Sequence, residues 1–183
     1  MLATADRVRE SSASVIHSLR SLGIQQIALL SGDNERTASA IGKLTGIANV
    51  QANLLPQDKV LVVEQLLSNF GTLAMVGDGV NDAPALARAT VGIAMGAAGS
   101  DAALETADIV LMSDDLHRIP YLMRLGRRTL RRIQENIALS LLIKGIFLLL
   151  ATAGLATLWM AVFADMGTSL LVTFNGMRLL REE

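Results

Sequence analysis

Two aspartates four residues apart, Asp78 and Asp82, sit in the run Val76 to Leu86, which reads Val-Gly-Asp-Gly-Val-Asn-Asp-Ala-Pro-Ala-Leu. Leu73 to Val76 is apolar and drives into a turn holding Gly77 and Gly79. Glycines at a strand end let the backbone approach a small anionic ligand closely. Two carboxylates aimed at that ligand suit Mg²⁺ lying between them and a phosphate, directly or through water. Asn81 adds a hydrogen-bond donor between them.

Two other places supply what phosphoryl chemistry needs, which is mostly positioning and charge neutralisation. Ser31-Gly32-Asp33 offers a hydroxyl and a backbone amide to a phosphate oxygen. Lys59, after Leu55-Pro56-Gln57-Asp58, offers a mobile positive charge. Each also has a plain reading. Ser31 to Asn34 can be a helix N-cap, Lys59 a solvated helix residue, and Asp82 the cap of the helix that follows. Asp78 between two glycines fits no such reading. At successive strand ends the set points to a magnesium–phosphate site.

The elements that must position these residues alternate. Residues 11 to 22 place Val15, Ile16, Leu19 and Leu22 on one helical face, and Gly23 ends the segment. Ile27 to Leu30 reads as a strand entering the Ser31 turn. A second helix has Ala38, Ile41 and Leu44-Thr45 on its buried side. Asn49 to Ala52 is a short strand, and Pro56 opens a third helix carrying Val60, Val63, Leu66 and Leu67. Leu73 to Val76, Val91 to Met95 and Asp108 to Met112 are further strands, with a short helix containing Ala103 and Leu104 between the last two. This alternation predicts an α/β fold with a doubly wound, mostly parallel sheet, whose ligands gather at the carboxyl ends of its strands. Ser113 and Asp114 then read as caps of a long helix running through Ile119, Leu122, Met123, Leu130 and Ile133, with Pro120 in its first turn.

The 183 residues carry a net charge of −1, without the basic excess of a nucleic-acid binder, and contain no cysteine for disulfides or thiolate metal sites. The first residues lack the basic-then-apolar pattern of a signal peptide. Mean hydropathy is +0.45, an average over two unlike halves. From Ile137 to Phe174 only Lys144 and Asp165 carry charge. Three segments follow: 1–116 as an α/β domain, 117–136 as a basic linker helix, and 137–180 as a transmembrane hairpin with spans of about 137–155 and 158–179, each near the ~20 residues that cross a bilayer. A buried hairpin in a soluble core is the alternative. Arg118, Arg124, Arg127, Arg128, Arg131 and Arg132 before the first span, and Arg178 and Arg181 after the second, predict that both ends are cytoplasmic. Uncharged Ala153 to Leu158 is then a tight external turn.

Inside lipid a charge costs on the order of 2.5–3.5 kcal/mol at mid-helix. Measured from Ala156, Lys144 and Asp165 lie about 18 and about 14 Å deep at ~1.5 Å per residue. A lysine side chain spans that difference, so an intramembrane pair is expected, either fixing helix packing or serving function.

The sequence resembles the C-terminal part of heavy-metal P-type ATPases. Ser31-Gly32-Asp33 is similar to the family's Thr-Gly-Asp, with serine keeping the hydroxyl. Leu55 to Lys59 is similar to its Pro-x-x-Lys element, and the Asp78 run matches its hinge and magnesium loop. Ala107-Asp108 after Gly99-Ser100-Asp101 also matches. Lys144 in the penultimate span and Ala164-Asp165-Met166-Gly167 in the last resemble the zinc/cadmium/lead exporters, and the Tyr-Asn and Met-x-x-Ser-Ser of copper exporters and the His-Glu-Gly of cobalt-type members are absent from these residues.

The resemblance implies a haloacid-dehalogenase-like sheet and a multi-pass membrane protein, of a bacterial plasma membrane. It implies Mg²⁺ and ATP as cofactors, with Ser31, Gly32, Asp33, Lys59, Asp78, Asn81 and Asp82 as catalytic residues. It also implies divalent heavy-metal ions, membrane lipid and the remainder of an ATPase as partners. The 183 residues contain no Asp-Lys-Thr-Gly-Thr and no Cys-Pro-Cys. The chain is therefore expected to be a fragment, inactive alone, whose sheet lacks a central strand between those ending at Ser31 and Asp78. Asp165 is expected to ligate the exported ion, with Lys144 pairing with it when the site is empty. The rival readings are a membrane-anchored phosphatase of the same fold, which needs its own Asp-x-Asp before Ser31, and a non-catalytic partner of a full pump.

Overall fold

The computed structural model describes residues 11–78, 81–96, 105–113 and 115–178. Gly79, the Gly99-Ser100-Asp101 turn, Ala103, Leu104, Asp114 and Leu179 lie outside them. The chain divides into two units, Met1–Tyr121 and Leu122–Glu183.

In the first unit, helix α1 (Ser11–Ser21) buries Val15 and stops at Gly23, whose φ of 90° suits glycine. Strand β1 (Ala28–Leu30) leads to α2 (Glu35–Thr45), capped by Asn34, whose Oδ1 accepts from the Thr37 amide at 3.0 Å. Strand β2 (Asn49–Gln51) pairs in parallel with β1, Leu29 opposite Val50. Helix α3 (Pro56–Phe70) connects to β3 (Ala74–Gly77), and the short α4 (Ala83–Arg88) leads to β4 (Val91–Met95). Strand β5 (Ile109–Leu111) completes a parallel sheet in the order β3-β4-β5. Asp108 ties its start to β4 by accepting from the Gly92 amide at 2.8 Å.

The strands thus form a two-stranded and a three-stranded sheet, and β1 is not hydrogen-bonded to β3. One core nevertheless serves both. Val63, Met75, Ala85, Leu86 and Ala94 form it, and Leu30 from β1 packs against it. Parallel strands joined by helices are the expected α/β architecture.

Two expectations are corrected. Leu44 is 66% exposed instead of buried. The inward stripe of α2 is Ala38, Gly42 and Thr45, because Gly42 lies against β2: a Cβ there would come 2.5 Å from Val50 Cγ2. Leu44, two residues on, is turned to the opposite side. Nor does Ser113 start the long helix. It begins at Arg118, after a turn in which Asp115 Oδ1 accepts from the His117 amide at 3.0 Å and the Asp115 carbonyl from the Arg118 amide at 3.2 Å.

Helix α5 (Arg118–Thr152) runs without interruption from this turn, so the basic stretch and the apolar stretch form one 35-residue helix. Pro120 is its third residue, where a missing amide costs nothing. After a turn through Gly154, with φ of 73°, α6 (Leu158–Met177) returns, capped by Thr157. Both helices are long and apolar enough to cross a bilayer, and their most apolar windows are 0% and 6% buried within the chain. That exposure is unlike the core helices of a soluble domain.

Candidate active site and intramembrane charge pair

Backbone geometry builds the Ser31 turn. The Ser31 amide donates to Gln51 O at 2.9 Å and its carbonyl accepts from Leu54 at 3.0 Å, extending the β1–β2 ladder past the strands. Asn53, at φ 55°, turns the chain so that its amide reaches Asp33 O at 2.8 Å. Ser31 Oγ donates to Asp33 Oδ2 at 2.9 Å and accepts from the Asp33 amide at 3.1 Å. The helix cap is the separate work of Asn34. That leaves Ser31 and Gly32 at the strand's carboxyl end, in the turn and not the cap.

Lys59 is aimed by the start of α3. Pro56 sets the first turn, and Asp58 Oδ2 accepts from the Leu55 amide at 2.9 Å. From this anchored turn Lys59 Nζ reaches Asp82 Oδ1 at 2.6 Å, with both side chains 14% exposed. Asp82 occupies the cap position of α4, yet its side chain makes no cap hydrogen bond. Its carbonyl alone accepts from Leu86, at 2.8 Å. The carboxylate is turned toward the lysine. This contact joins two of the sequence-predicted residues across 23 positions of chain.

Gly77 makes that possible. A Cβ at Gly77 would lie 2.7 Å from both Asp82 Cβ and Asp82 Oδ2. The clearance expected there for a ligand is thus taken up by the Asp82 side chain. Asp78, the next residue, is exposed, and its Oδ1 accepts from the Asn81 amide at 3.3 Å.

Among the described residues no three His, Cys, Asp or Glu side chains converge as a protein-only metal cage. Mg²⁺ does not require one, since it keeps several waters and takes one or two carboxylates with phosphate oxygens. Asp78 and Asp82, all-oxygen donors on one loop, fit that pattern.

In the second unit Lys144 of α5 and Asp165 of α6 meet, Nζ to Oδ1 at 3.8 Å. Their side chains are 66% and 69% exposed, on the outside of the hairpin. Nearer the chain's end, Asn175 Nδ2 donates to Asn136 Oδ1 at 2.8 Å, and Arg132 Nη1 lies 3.5 Å from Asn175 Oδ1. Neither asparagine stands out in a search for catalytic motifs. The signal available was an amide in each of two helices at the edge of an apolar stretch.

A cadmium, zinc and cobalt-transporting ATPase of Bacillus subtilis is 49% identical over 180 residues, 97% of this chain and 26% of that protein. A probable cadmium-transporting ATPase of Listeria monocytogenes is 55% identical over 181 residues, 99% of this chain and 26% of that protein. A crystal structure of a zinc-transporting PIB-type ATPase in its E2.Pi state superposes with a TM-score of 0.88 at 46% identity, over 96% of this chain and 28% of that one. The chain matches the heavy-metal-transporting P-type ATPase family. It spans about a quarter of the length of these P-type ATPases. The family model for haloacid dehalogenase-like hydrolases matches residues 1–90, which hold the Ser31 turn, Lys59, Asp78 and Asp82.

Proposed function

We propose that the chain is the part of an ATP-driven Zn²⁺/Cd²⁺/Pb²⁺ efflux pump that stabilises a phosphoryl group and contributes a carboxylate to the ion path. The Ser31 hydroxyl and Gly32 amide donate to phosphate oxygens, and Lys59 brings a positive charge to them. Asp33 orients Ser31 through its amide, which donates to Ser31 Oγ at 3.1 Å and leaves the hydroxyl proton free to turn from Asp33 Oδ2 to the phosphate. Asp78 and Asp82 hold Mg²⁺, with Asn81 fixing the loop between them. When bound, the ion neutralises phosphate charge. Lys59 and Asp82 already touch, so arrival of phosphate and cation exchanges one ion pair for two new ones. By analogy with the family, an aspartate on a further strand between β1 and β3, which are not hydrogen-bonded to each other, accepts the phosphate from ATP. The isolated chain is accordingly inactive.

In the membrane Asp165 ligates the transported ion together with groups from other helices, since one carboxylate cannot complete a zinc coordination sphere. Lys144 neutralises Asp165 when the site is empty and is displaced as the ion binds. The α5–α6 hairpin crosses the membrane with both ends in the cytoplasm, on the side of the arginines.

The observation that carries this reading is the 3.8 Å contact between Lys144 and Asp165, the only two charges between Ile137 and Phe174. The test is metal-stimulated ATP hydrolysis by the chain joined to the remaining pump domains. Asp165→Ala is expected to lower it by about 100-fold, at or beyond the 10- to 100-fold range seen for losing a ligand's supporting partner. Full activity in that variant would refute the assignment.

A further inference from the structure

Where α5 and α6 face each other the side chains are mostly apolar or small. An open groove between them is lined by Ile143 and Phe147 of α5 and by Phe163, Ala164, Gly167 and Thr168 of α6. Gly167 offers no side chain to interlock: a Cβ there would meet nothing within 4 Å. Such a seam favours contact without strongly choosing a register, because sliding by a helical turn replaces apolar contacts with similar ones.

Asn136 and Asn175 break that uniformity. Both are half-buried, and the Asn175 Nδ2 donates to Asn136 Oδ1 at 2.8 Å. Asn136 precedes Ile143 by seven residues, and Asn175 follows Thr168 by seven, so the amides continue the same seam. A one-turn slip of about 5.4 Å would break this pair: one direction sets Asn136 opposite Leu171 and Asn175 opposite Arg132, the other sets Asn175 opposite Ser140, and in either case Asn136 loses its amide partner. A single polar pair in an apolar helical seam is the best-attested device for choosing register, at some cost in stability. Arg132, one turn before Asn136 on α5, is paired with Glu135 at 3.1 Å and its Nη1 also lies 3.5 Å from Asn175 Oδ1.

We infer that the Asn136–Asn175 amide pair is the register lock of the α5–α6 hairpin and the positioning element that sets Lys144 opposite Asp165. Lys144 lies eight residues beyond Asn136 on α5, and Asp165 ten before Asn175 on α6. The lock thus acts over about 12–15 Å of helix. A slipped register removes the 3.8 Å contact between the two charges. The bearing of this on transport rests on the proposed role of Asp165; the register itself does not.

The chain has no cysteine, so engineered pairs report register without background. Ile143→Cys is combined in turn with Ala164→Cys, Thr168→Cys and Leu171→Cys, and each full-length chain is oxidised in phospholipid vesicles. Two turns up the seam from the amides, the 143–168 pair is expected to cross-link fastest. Replacing both Asn136 and Asn175 by Leu is expected to narrow its lead over the flanking pairs by about threefold to tenfold, the weight of one interhelical hydrogen bond in a membrane. Asn136→Asp, which keeps an acceptor for Asn175 Nδ2, retains the parent pattern. An unchanged pattern in the doubly Leu-substituted chain would overturn the proposal. So would a loss of 143–168 selectivity in Asn136→Asp. Should the double variant fail to insert, Asn136→Ala alone removes the acceptor and is judged by the same two outcomes. Loss of metal-stimulated hydrolysis in Asp165→Ala beside an unchanged cross-linking pattern in the doubly Leu-substituted chain would overturn the lock and leave the ion site standing; full hydrolysis in Asp165→Ala beside a narrowed 143–168 lead in the doubly Leu-substituted chain would do the reverse.

Discussion

Two lysine–aspartate pairs carry the proposed chemistry, and they sit in opposite circumstances. Lys59 and Asp82 touch at 2.6 Å with both side chains 14% exposed, held by a proline-started helix turn on one side and a glycine clearance on the other. Lys144 and Asp165 stand 3.8 Å apart, about two-thirds exposed, on the outer surface of a two-helix hairpin. The first pair gets its strength from protein that excludes water around it. The second draws on whatever surrounds the hairpin. In water an exposed pair contributes on the order of 0–1 kcal/mol, whereas in hydrocarbon the same two charges can hardly remain apart. The pair proposed to be opened by phosphate and Mg²⁺ is built tight and local. The pair proposed to yield to a transported ion is set by helix register and environment.

The largest expected effect comes from removing the clearance under the tight pair. Gly77→Ala places a methyl group 2.7 Å from Asp82 Cβ and Oδ2, so Asp82 must move and its contact with Lys59 breaks. All the atoms the methyl group would meet belong to the Asp82 side chain, whose Cβ is fixed to the start of α4 and cannot swing away as the tip of a long side chain would. A loss of about 3 kcal/mol is expected, at the upper end for overpacking. Urea unfolding of the full chain in detergent measures it. A change below about 0.5 kcal/mol, the ordinary surface range, would mean that the loop absorbs the methyl group freely.

Next is Lys59→Met, which keeps the aliphatic stem and leaves the Asp82 carboxylate without this partner. A destabilisation of about 2 kcal/mol is expected, between the exposed-pair and fully buried limits. Added Mg²⁺ should recover part of it, and more than it adds to the parent chain, because the variant's Asp82 no longer has a lysine to give up. Equal responses to Mg²⁺ in the two chains would show that Lys59 and the cation do not compete for Asp82.

Much of this arrangement was legible in the sequence, for definable reasons. Strands and helices of the first unit announce themselves by short apolar runs between Gly, Pro and Asn, and the site residues fall in the turns those runs end on. Lys59 could be named but not aimed, since its partner lies on another helix and only packing brings α3 and α4 together. The exposure of Leu44 is not legible in the apolar pattern of α2, because the helix approaches β2 through Gly42, a residue that carries no hydrophobic signal. The turn at Asp115 that precedes the helix start at Arg118 is hidden in the sequence because Ser113, Asp114 and Asp115 are all of types that favour caps and turns. Asn136 and Asn175 were passed over for a similar reason. A motif search weighs charge and nucleophilicity, while their work is geometric and emerges only when two helices are laid side by side.

The smallest expected effect provides the reference for the comparison. Glu64 of α3 and Arg88 of α4 form an ion pair at 3.5 Å, with side chains 45% and 63% exposed. It bridges the same two helices as Lys59 and Asp82, one to two turns farther along α3. Both pairs therefore tie α3 to α4, and they differ in exposure and in separation, 3.5 Å against 2.6 Å. Glu64→Ala is expected to cost less than about 0.5 kcal/mol, with most of that gone at 1 M salt, where screening acts within about 3 Å. The loss in Lys59→Met should persist at that salt concentration, because ions cannot enter a contact so largely excluded from water. If instead both losses vanished together in salt, the tightness of the Lys59–Asp82 contact would owe nothing to its burial, and the contrast between the two lysine–aspartate pairs would reduce to distance alone.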